Sequence, residues 1–243
     1  MVRNIDEELH GIWRIIPSPA ITEIIGQSGF DFQILDCEHG SYDFQTLLED
    51  IRSCHFQKCL AYVRVSGLDK VEVQRCLDLG ADGIVFPQLD SFEDFHLATK
   101  MLKYAPYGIR GFNPFVPSGE YGFKKINDNN ISCIVIIETL NAIKELDKIL
   151  ALTNITMIYI GVYDLSAQLN CIGEMDNPSL QEAVNLIIEK SIISNKMVSL
   201  MINNPESYKK YKHKGVKSFV HTIDGYQIKK AFISELNNTL SYK

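Results

Sequence analysis

The sequence predicts a single (β/α)8 TIM barrel, and three observations lead to that fold class. First, eight short apolar and β-branched runs alternate with longer segments that have the period of an amphipathic helix. Second, the runs are apolar throughout, as parallel strands covered on both faces should be. Third, eight such units in 243 residues match the usual length of this barrel, with a doubly wound sheet as the alternative. No composition shift or linker divides the chain, so we expect one domain over residues 1–243.

The apolar runs and the amphipathic segments determine the expected order of elements. Predicted strands lie at residues 11–16, 32–36, 60–65, 83–87, 133–138, 157–161, 198–202 and 218–222. Predicted helices lie at residues 20–25, 44–53, 71–79, 92–102, 140–150, 180–193, 206–214 and 227–240. Polar residues that favour helix N-termini precede several of these helices, and Gly80 is a typical helix end. The long connections 104–130 and 170–178 are expected to lie on or over the catalytic face.

Composition and charge argue against several classes of protein. The net charge of −6, without a dense basic patch, argues against nucleic-acid binding. No apolar run approaches the roughly 18 residues of a membrane span, and residues 1–8 are too polar for a signal peptide. The six cysteines show no disulfide or metal-site spacing, so free thiols in a reducing compartment are expected. These features predict a cytoplasmic protein with a small-molecule substrate and no membrane partner.

The most informative stretch is the segment 36–40, which closes the predicted second strand. It brings Asp36, Glu38 and His39 to the C-terminal end of that strand, where parallel α/β proteins carry their active sites. Asp36 is near enough in sequence to orient the His39 imidazole, and a carboxylate–imidazole pair is a common general base near neutral pH. A histidine satisfied within the core is the alternative interpretation of His39. Glu38 is a candidate secondary partner of the pair.

Three further strand ends carry charged residues. Glu138 follows the fifth strand, Asp164 lies just beyond the sixth, and Arg64 lies near the end of the third. Taken singly, Glu138 could be an acid that favours a helix N-terminus, and Asp164 could be an N-cap. Two carboxylates that converge from adjacent strands are hard oxygen ligands that suit Mg²⁺ or Mn²⁺. Arg64 is costly to bury without an anion, so it should meet a carboxylate of the substrate or of the protein.

Missing motifs narrow the chemistry further. No lysine falls on the C-terminal half of a predicted strand, so a Schiff-base aldolase is not expected. There is no G-x-G-x-x-G after a strand and no P-loop, so no nucleotide cofactor is expected. A divalent metal with a histidine base remains, and that combination suits the stabilisation of an enolate.

The order and spacing of these residues resemble the HpcH/HpaI family of metal-dependent, class II pyruvate aldolases. The resemblance runs over about residues 11–224, nearly the whole chain. Its marks are Ser18-Pro19, Gly29-Phe30-Asp31-Phe32, Asp36-Cys37-Glu38-His39-Gly40, Val63-Arg64-Val65, Leu77-Asp78-Leu79-Gly80-Ala81, Gly108-Ile109-Arg110-Gly111, Ile137-Glu138-Thr139 and Ile160-Gly161-x-x-Asp164-Leu165-Ser166. Each motif is short, but together they are specific.

The resemblance implies a barrel that usually assembles as a hexamer built from dimers, with the C-terminal helix exchanged between neighbours and active sites near the interfaces. By position, Glu138 and Asp164 match the family's metal ligands. His39, oriented by Asp36, matches the base that acts through water. Arg64 matches the residue that binds the pyruvyl carbonyl and steadies the enolate.

The resemblance also assigns secondary roles and shows two departures. Gly161 and Tyr163 would lie beside the substrate, and Asp78 matches an acid that reaches toward a neighbouring subunit's site. Ile136 stands where the family usually has a glutamine, two residues before the metal-binding glutamate. Tyr163 and the preceding valine stand where the family usually has Pro-Ala. These departures change how a substrate would be held without touching the metal ligands.

The expected activity is therefore a divalent-metal-dependent aldolase that cleaves a 4-hydroxy-2-oxo acid to pyruvate and an aldehyde through a metal-stabilised enolate. One alternative is a lyase similar to citrate lyase or malyl-CoA lyase, which would use the same chemistry on a CoA thioester. A second alternative is a barrel that binds a 2-oxo acid without turning it over. The aldehyde, the preferred metal and the stereochemistry are left open by the residues.

Overall fold

The computed structural model describes residues 7–241, which form a closed barrel of eight parallel strands in chain order. The strands are β1 (Leu9–Arg14), β2 (Phe32–Asp36), β3 (Leu60–Arg64), β4 (Gly83–Phe86), β5 (Ser132–Ile137), β6 (Met157–Ile160), β7 (Met197–Met201) and β8 (Ser218–Ile223). All eight predicted strands are present, and their ends differ from the prediction by no more than two residues. The (β/α)8 fold is thereby confirmed. The N-terminal residues 1–6, part of the argument about a signal peptide, lie outside the described region.

Helices alternate with these strands and surround the barrel. They are α1 (Pro19–Gln27), α2 (Phe44–Phe56), α3 (Lys70–Leu79), α4 (Phe92–Met101), α5 (Leu140–Lys144), α6 (Leu146–Leu150), α7 (Val162–Gln168), α8 (Pro178–Ile193), α9 (Pro205–His213) and α10 (Asp224–Leu240). A short 3₁₀ helix covers Pro117–Gly122. Within the described residues, no helix combines the length and the apolar character needed to cross a bilayer.

The structure corrects one predicted helix and adds α7, which lies outside the predicted helix ranges. The segment 140–150 is two short helices rather than one, with a break at Glu145, whose side chain accepts hydrogen bonds from the Phe92 backbone N–H and from Lys148. The interpretation of Asp164 as an N-cap is wrong. Gly161 occupies that position without a side-chain cap, and Asp164 lies inside the first turn of α7.

The long segment 104–130 does not lie over the catalytic face, because it connects the end of α4 to the start of β5. It therefore lies at the N-terminal end of the barrel. There Arg110 donates to Asp78 near the end of α3, and Tyr121 accepts a hydrogen bond from Arg52 of α2. The shorter segment 170–178 does lie on the C-terminal side, where Met175 shares a cleft with Val162 and Met201.

Two apolar cores support the barrel. One fills the space between the outer faces of the strands and the helices, and the other fills the barrel interior. Because side chains alternate along a strand, Trp13 points into the interior, whereas its neighbour Arg14 points outward.

Arg14 is the centre of a buried polar network on the outer face of β1. Its guanidinium donates to Asp224 Oδ2 (2.9 Å), Thr22 Oγ1 (2.6 Å), Gln33 Oε1 (2.6 Å), and the carbonyl oxygens of Ile16 (2.8 Å) and Ser18 (3.4 Å). An arginine has five N–H donors, so every donor of Arg14 is used within the protein. The network joins β1, β2 and α1 to the start of α10.

Helix α10 leaves the barrel after this anchor. Asp224 is its buried residue, and its main contacts are with β1 and β8. Its apolar side chains are largely exposed: Tyr226 (64%), Phe232 (71%), Ile233 (50%), Leu236 (59%) and Leu240 (48%). Their spacing forms one apolar stripe along the helix.

Candidate active site

The charged residues predicted at the strand ends meet at the C-terminal mouth of the barrel. Asp36 is the last residue of β2 and Arg64 the last of β3, while Glu138 directly follows β5. Asp164 lies in the first turn of α7, just beyond β6. These four residues and His39 line a single cavity of about 210 Å³.

Asp36 and Arg64 form the most tightly bonded pair in this cavity. Arg64 donates from Nε to Asp36 Oδ1 (2.9 Å) and from Nη2 to Asp36 Oδ2 (2.5 Å), a bidentate arrangement. Asp36 also accepts from Trp13 Nε1 (3.0 Å) and from the backbone N–H groups of Glu38 (3.0 Å) and His39 (3.2 Å). Burial by itself would raise the pKa of Asp36, but the hydrogen bonds and charge of Arg64 lower it overall.

The expected pairing of Asp36 with the His39 imidazole is absent from the structure. Both oxygens of the carboxylate are already used by Arg64, Trp13 and the backbone of the 36–40 turn. The His39 side chain is instead 71% exposed at the rim of the cavity, where its Nε2 lies 4.0 Å from Glu38 Oε1. The turn thus presents the imidazole to solvent and to the cavity rather than to Asp36.

Glu38 and Gln88 form a second layer behind the mouth. Arg64 Nη1 lies 2.8 Å from Glu38 Oε2, an ion pair without hydrogen-bond geometry, and Gln88 Nε2 donates to Glu38 Oε1 (2.5 Å). The backbone N–H of Gln88 donates to Glu138 Oε1 (2.5 Å). Gln88 therefore connects the two glutamates, and sequence reasoning missed it.

Gln88 adopts an uncommon backbone conformation. Its φ is 55°, in the left-handed region that a residue with a side chain rarely adopts, and its two hydrogen bonds hold it there. A signal for it was available in the sequence. Gln88 is a polar residue just past the apolar run of β4, the same pattern that identified Glu138.

Glu138 is the acid of the site whose pKa is most strongly shifted. It is only 6% exposed, and burial raises its pKa to about 7, against the lowering effect of the Gln88 N–H. The negative charges of Asp164 and Glu38 raise the pKa further, while Arg64 lowers it. Glu138 thus lies in a place where added positive charge would be favourable.

Gly161 makes room for the Glu138 side chain. A Cβ at Gly161 would lie 2.7 Å from Glu138 Cβ, 2.8 Å from Glu138 Oε2 and 2.9 Å from Ile136 Cγ2. Those distances are shorter than real contacts, so a larger residue would displace the carboxylate. Gly161, one of the residues that carry the resemblance, therefore has a steric explanation in this chain.

The donor set fits a divalent cation such as Mg²⁺ or Mn²⁺. Glu138 and Asp164 offer carboxylate oxygens, which are hard ligands, and Mg²⁺ sites often use one or two carboxylates with waters and substrate oxygens. Among the described residues, no cluster of three or more His, Cys, Asp or Glu side chains is arranged to hold a metal. Such a cation would therefore depend on two protein ligands and on the substrate.

Trp13 is a second residue that sequence reasoning missed. Its Nε1 donates to Asp36, and the Arg64 guanidinium lies 4.7 Å above the centre of its ring. Beside it, Tyr159 packs edge-on with ring centres 5.1 Å apart. Tyr163 lies at the rim and is 55% exposed, next to Gly161 and Asp164 in the cavity lining.

Asp78 does not join these residues. It lies near the end of α3, at the opposite end of the barrel, and accepts a hydrogen bond from Arg110 (2.9 Å). A larger cleft of about 490 Å³ lies at that end, lined by Arg110 and by the segment 117–127. Within one chain, Asp78 is a partner of Arg110 rather than a member of the candidate active site.

Comparison with known proteins gives a consistent result. The family model for HpcH/HpaI aldolase/citrate lyase matches residues 10–230. The chain is 28% identical over 209 residues to the 2-dehydro-3,6-dideoxy-6-sulfogluconate aldolase of Pseudomonas putida, with 84% of this chain and 82% of that protein covered. It is 29% identical over 216 residues to the hydroxypyruvate/pyruvate aldolase of Agrobacterium fabrum, with 86% and 80% covered.

The fold comparison agrees with the sequence comparison. A crystal structure of a HpcH/HpaI aldolase/citrate lyase family protein from Burkholderia cenocepacia J2315 superimposes with a TM-score of 0.91 at 22% identity, covering 96% of this chain and 95% of that one. At that identity the likeness concerns the fold alone. The family model, however, matches almost the whole length of the chain. The protein therefore belongs to the HpcH/HpaI aldolase/citrate lyase family.

Proposed function

We propose that this protein is a divalent-metal-dependent aldolase that reversibly cleaves a 4-hydroxy-2-oxo acid to pyruvate and an aldehyde. The observation that carries the proposal is the meeting of two carboxylates, Glu138 and Asp164, with Arg64 and His39 around one cavity. The two relatives named above are both aldolases, and one of them is named for pyruvate and hydroxypyruvate.

Arg64 is the residue we expect to hold the reacting carbonyl. Its bonds to Asp36 and its ion pair with Glu38 fix the plane of the guanidinium. Those contacts leave N–H donors free, because an arginine has five. The free donors can stabilise the negative charge that develops on the C2 oxygen when the enolate forms.

His39 is the base in this proposal. Acting through a water, its imidazole removes the proton of the 4-hydroxyl group. The C3–C4 bond then breaks, its electron pair forms the pyruvate enolate, and the C4 fragment leaves as an aldehyde. Protonation of C3 completes pyruvate. The exposed position of the imidazole lets it exchange the proton with solvent between turnovers.

Glu138 and Asp164 would hold the divalent cation. Bound there, a cation would supply a Lewis acid that polarises the 2-oxo group of the substrate. Gln88 keeps Glu138 in position through its backbone N–H, and Gly161 leaves the space that the carboxylate occupies. Gln88 positions the metal ligand from outside the cavity, whereas Gly161 also lines the cavity beside the substrate.

A coupled assay tests the function directly. Protein stripped with EDTA is mixed with a panel of 4-hydroxy-2-oxo acids, and pyruvate release is followed with lactate dehydrogenase and NADH. We expect pyruvate release only after Mn²⁺ or Mg²⁺ is added. Absence of pyruvate release from the whole panel, with either metal, would contradict the proposal.

A matched pair of variants links the activity to the carboxylates. Glu138→Gln should abolish the metal-dependent rate, whereas Glu189→Gln, on the exposed face of α8, should leave it unchanged. Binding of oxalate or pyruvate in a thermal-shift titration, without turnover of any substrate, would favour the non-catalytic alternative.

We also propose that α10 packs against a second copy of the chain, within a homo-oligomer that the family resemblance predicts to be a hexamer. The support is its apolar stripe, which has no cover within the described part of its own chain. Ile233→Glu should lower the mass measured by light scattering. Asn238→Glu, on the opposite face of α10, should not.

A further inference from the structure

The cavity at the barrel mouth has two chemically different sides. The charged side carries Arg64, Glu138, Asp164 and His39. A second group of lining side chains, which we call the apolar wall, consists of Trp13, Ile15, Ile136, Tyr159, Met201 and Ile223. In the proposed reaction the charged head lies against Arg64 and the carboxylates and the 4-hydroxyl faces His39, which leaves the apolar wall as the surface for the substituent on C4.

The apolar wall is continuous around the barrel. Ile136 of β5 is paired in register with Tyr159 of β6, and the Tyr159 ring packs against Trp13 of β1. Trp13 is in turn paired with Ile223 of β8. Met201, at the end of β7, lies between β6 and β8 and closes the wall. Glu138 and Asp164 follow β5 and β6, so they lie beyond Ile136 and Tyr159 toward the C-terminal rim.

The apolar wall offers few hydrogen-bonding atoms. Trp13 Nε1 is already used by Asp36 at 3.0 Å. The Tyr159 hydroxyl, which makes no hydrogen bond within residues 7–241, is the remaining polar side-chain group of the wall. Burial raises the pKa of Tyr159, so this hydroxyl stays protonated. One phenol can serve one substrate oxygen, but it cannot satisfy a tail with several hydroxyl groups.

We propose that the aldehyde partner of this enzyme is a short, unsubstituted alkyl aldehyde rather than a polyhydroxylated one. The inference rests on the proposed aldolase function and specifies its substrate class. A hydroxyl group placed against the wall loses its bonds to water and gains none, whereas an alkyl group gains apolar contact. The cavity of about 210 Å³ is smaller than the roughly 300–1,000 Å³ of typical ligand pockets, which favours a short tail.

Two substrates of equal chain length test this proposal. Cleavage of 4-hydroxy-2-oxohexanoate gives pyruvate and propanal, and cleavage of 4,5,6-trihydroxy-2-oxohexanoate gives pyruvate and glyceraldehyde. We expect kcat/KM to be about 10- to 100-fold higher for the alkyl substrate, the range that apolar pockets achieve. An equal or higher value for the trihydroxylated substrate overturns the inference.

A second measurement separates this inference from the proposed function. Exchange of the pyruvate methyl protons in D₂O with Mg²⁺, followed by NMR, reports enolate formation without any aldehyde. Exchange combined with a preference for the trihydroxylated substrate overturns the inference and leaves the aldolase function intact. Absence of both exchange and cleavage overturns the function, and the inference with it.

Met201 provides a matched pair of variants. It is only partly buried at a strand end, so Met201→Gln adds an amide to the apolar wall with little change in volume. We expect this variant to lower the alkyl-to-trihydroxy ratio of kcat/KM severalfold. Met201→Leu keeps the wall apolar and should retain the preference for the alkyl substrate. The same ratio in both variants would mean that the wall does not contact the tail.

Discussion

Arg14 and Arg64 are both the last residues of barrel strands, yet their surroundings differ completely. Arg14 points outward from β1, has a side chain that is 0% exposed, and uses all five N–H donors within the protein. Arg64 closes β3 and faces the mouth with a side chain that is 13% exposed. Its contacts to Asp36 and Glu38 leave donors available toward the cavity.

The difference shows how the use of the N–H donors separates a structural arginine from one that can still bind a ligand. A guanidinium whose donors are all used can bind nothing further, so Arg14 contributes to stability. A guanidinium fixed on one side and free on the other is a preorganised anion site. Residue type and strand position do not distinguish the two arginines. The direction of the side chain and the number of remaining donors do.

The largest effect should come from Arg14→Leu. It leaves Asp224 and Asp50, with side chains 1% and 0% exposed, without their cation in a buried site. Removing one partner of a buried ion pair costs about 3–5 kcal/mol, and we expect a loss of that size in the free energy of unfolding. Urea denaturation measures it. A change below about 1 kcal/mol, the size typical of a surface ion pair, would mean that Arg14 does not have this structural role.

An exposed ion pair gives the control for that experiment. Lys190 and Asp147 lie 2.7 Å apart with side chains 35% and 78% exposed. We expect Lys190→Ala to change the free energy of unfolding by less than about 1 kcal/mol. Equal losses in the two variants would mean that burial does not explain the Arg14 effect.

Arg64→Lys should have the opposite effect to Arg14→Leu, with a large loss of activity and little loss of stability. It keeps a positive charge beside Asp36, so the fold should be largely retained. The fixed fork of donors toward the cavity is lost, and removing one preorganised donor typically lowers kcat about 100- to 1,000-fold. The coupled pyruvate assay and urea denaturation, performed on the same preparation, measure both quantities. A large loss of stability with near-normal activity would mean that Arg64, like Arg14, has a structural role.

Gly161→Ala should alter the mouth without affecting the Arg14 network. The added Cβ must displace the Glu138 carboxylate, which would lie within 2.8 Å of it. We therefore expect weaker binding of Mn²⁺ by isothermal titration calorimetry and slower pyruvate release. Gly67→Ala is the matched control, because a Cβ at Gly67 meets nothing within 4 Å. Equal Mn²⁺ affinity in the two variants would show that Glu138 is not a ligand.

The smallest effect should be the contribution of Asp36 to the free energy of unfolding at low pH. The pKa of Asp36 is lowered by Arg64 below its ordinary value of 3.8, despite the opposing effect of burial. The unfolded chain therefore takes up this proton first as the pH falls. The stability from Asp36 is complete above pH 3.8 and is lost as the pH drops through the lower folded pKa.

Comparison with Asp36→Asn isolates that contribution. The free energy of unfolding, measured by urea denaturation at several pH values below 5, should fall more steeply for the natural protein than for the variant. Parallel curves would mean that Asp36 titrates alike in the folded and unfolded chains.

The barrel was predictable because apolar runs and helical segments alternate eight times along the chain. The same patterns place the segment 104–130 between the predicted helix 92–102 and the predicted fifth strand, so its position at the N-terminal end of the barrel was also predictable. What the patterns could not show are the contacts of Gln88 with Glu38 and Glu138, which join residues 50 positions apart in sequence. Side-chain partners across strands depend on the barrel register, which local patterns do not contain.

The pairing of Asp36 with His39 shows a second limit. Proximity in sequence suggested that Asp36 orients the imidazole, but the carboxylate pairs with Arg64, 28 residues away, and with Trp13 on another strand. A guanidinium that offers two parallel donors is a stronger partner for a carboxylate than a single imidazole N–H. Which of the two partners the carboxylate binds is determined only when the strands close into a barrel.

Helix α10 has a consequence for the way this protein is handled. It begins at the buried Asp224 and then exposes apolar side chains such as Phe232 and Leu236. When that surface is covered by another copy, dilution uncovers it, and mass action makes the melting temperature depend on protein concentration. In the proposed homo-oligomer, a Tm would therefore describe one concentration, and the barrel would be least stable in dilute storage.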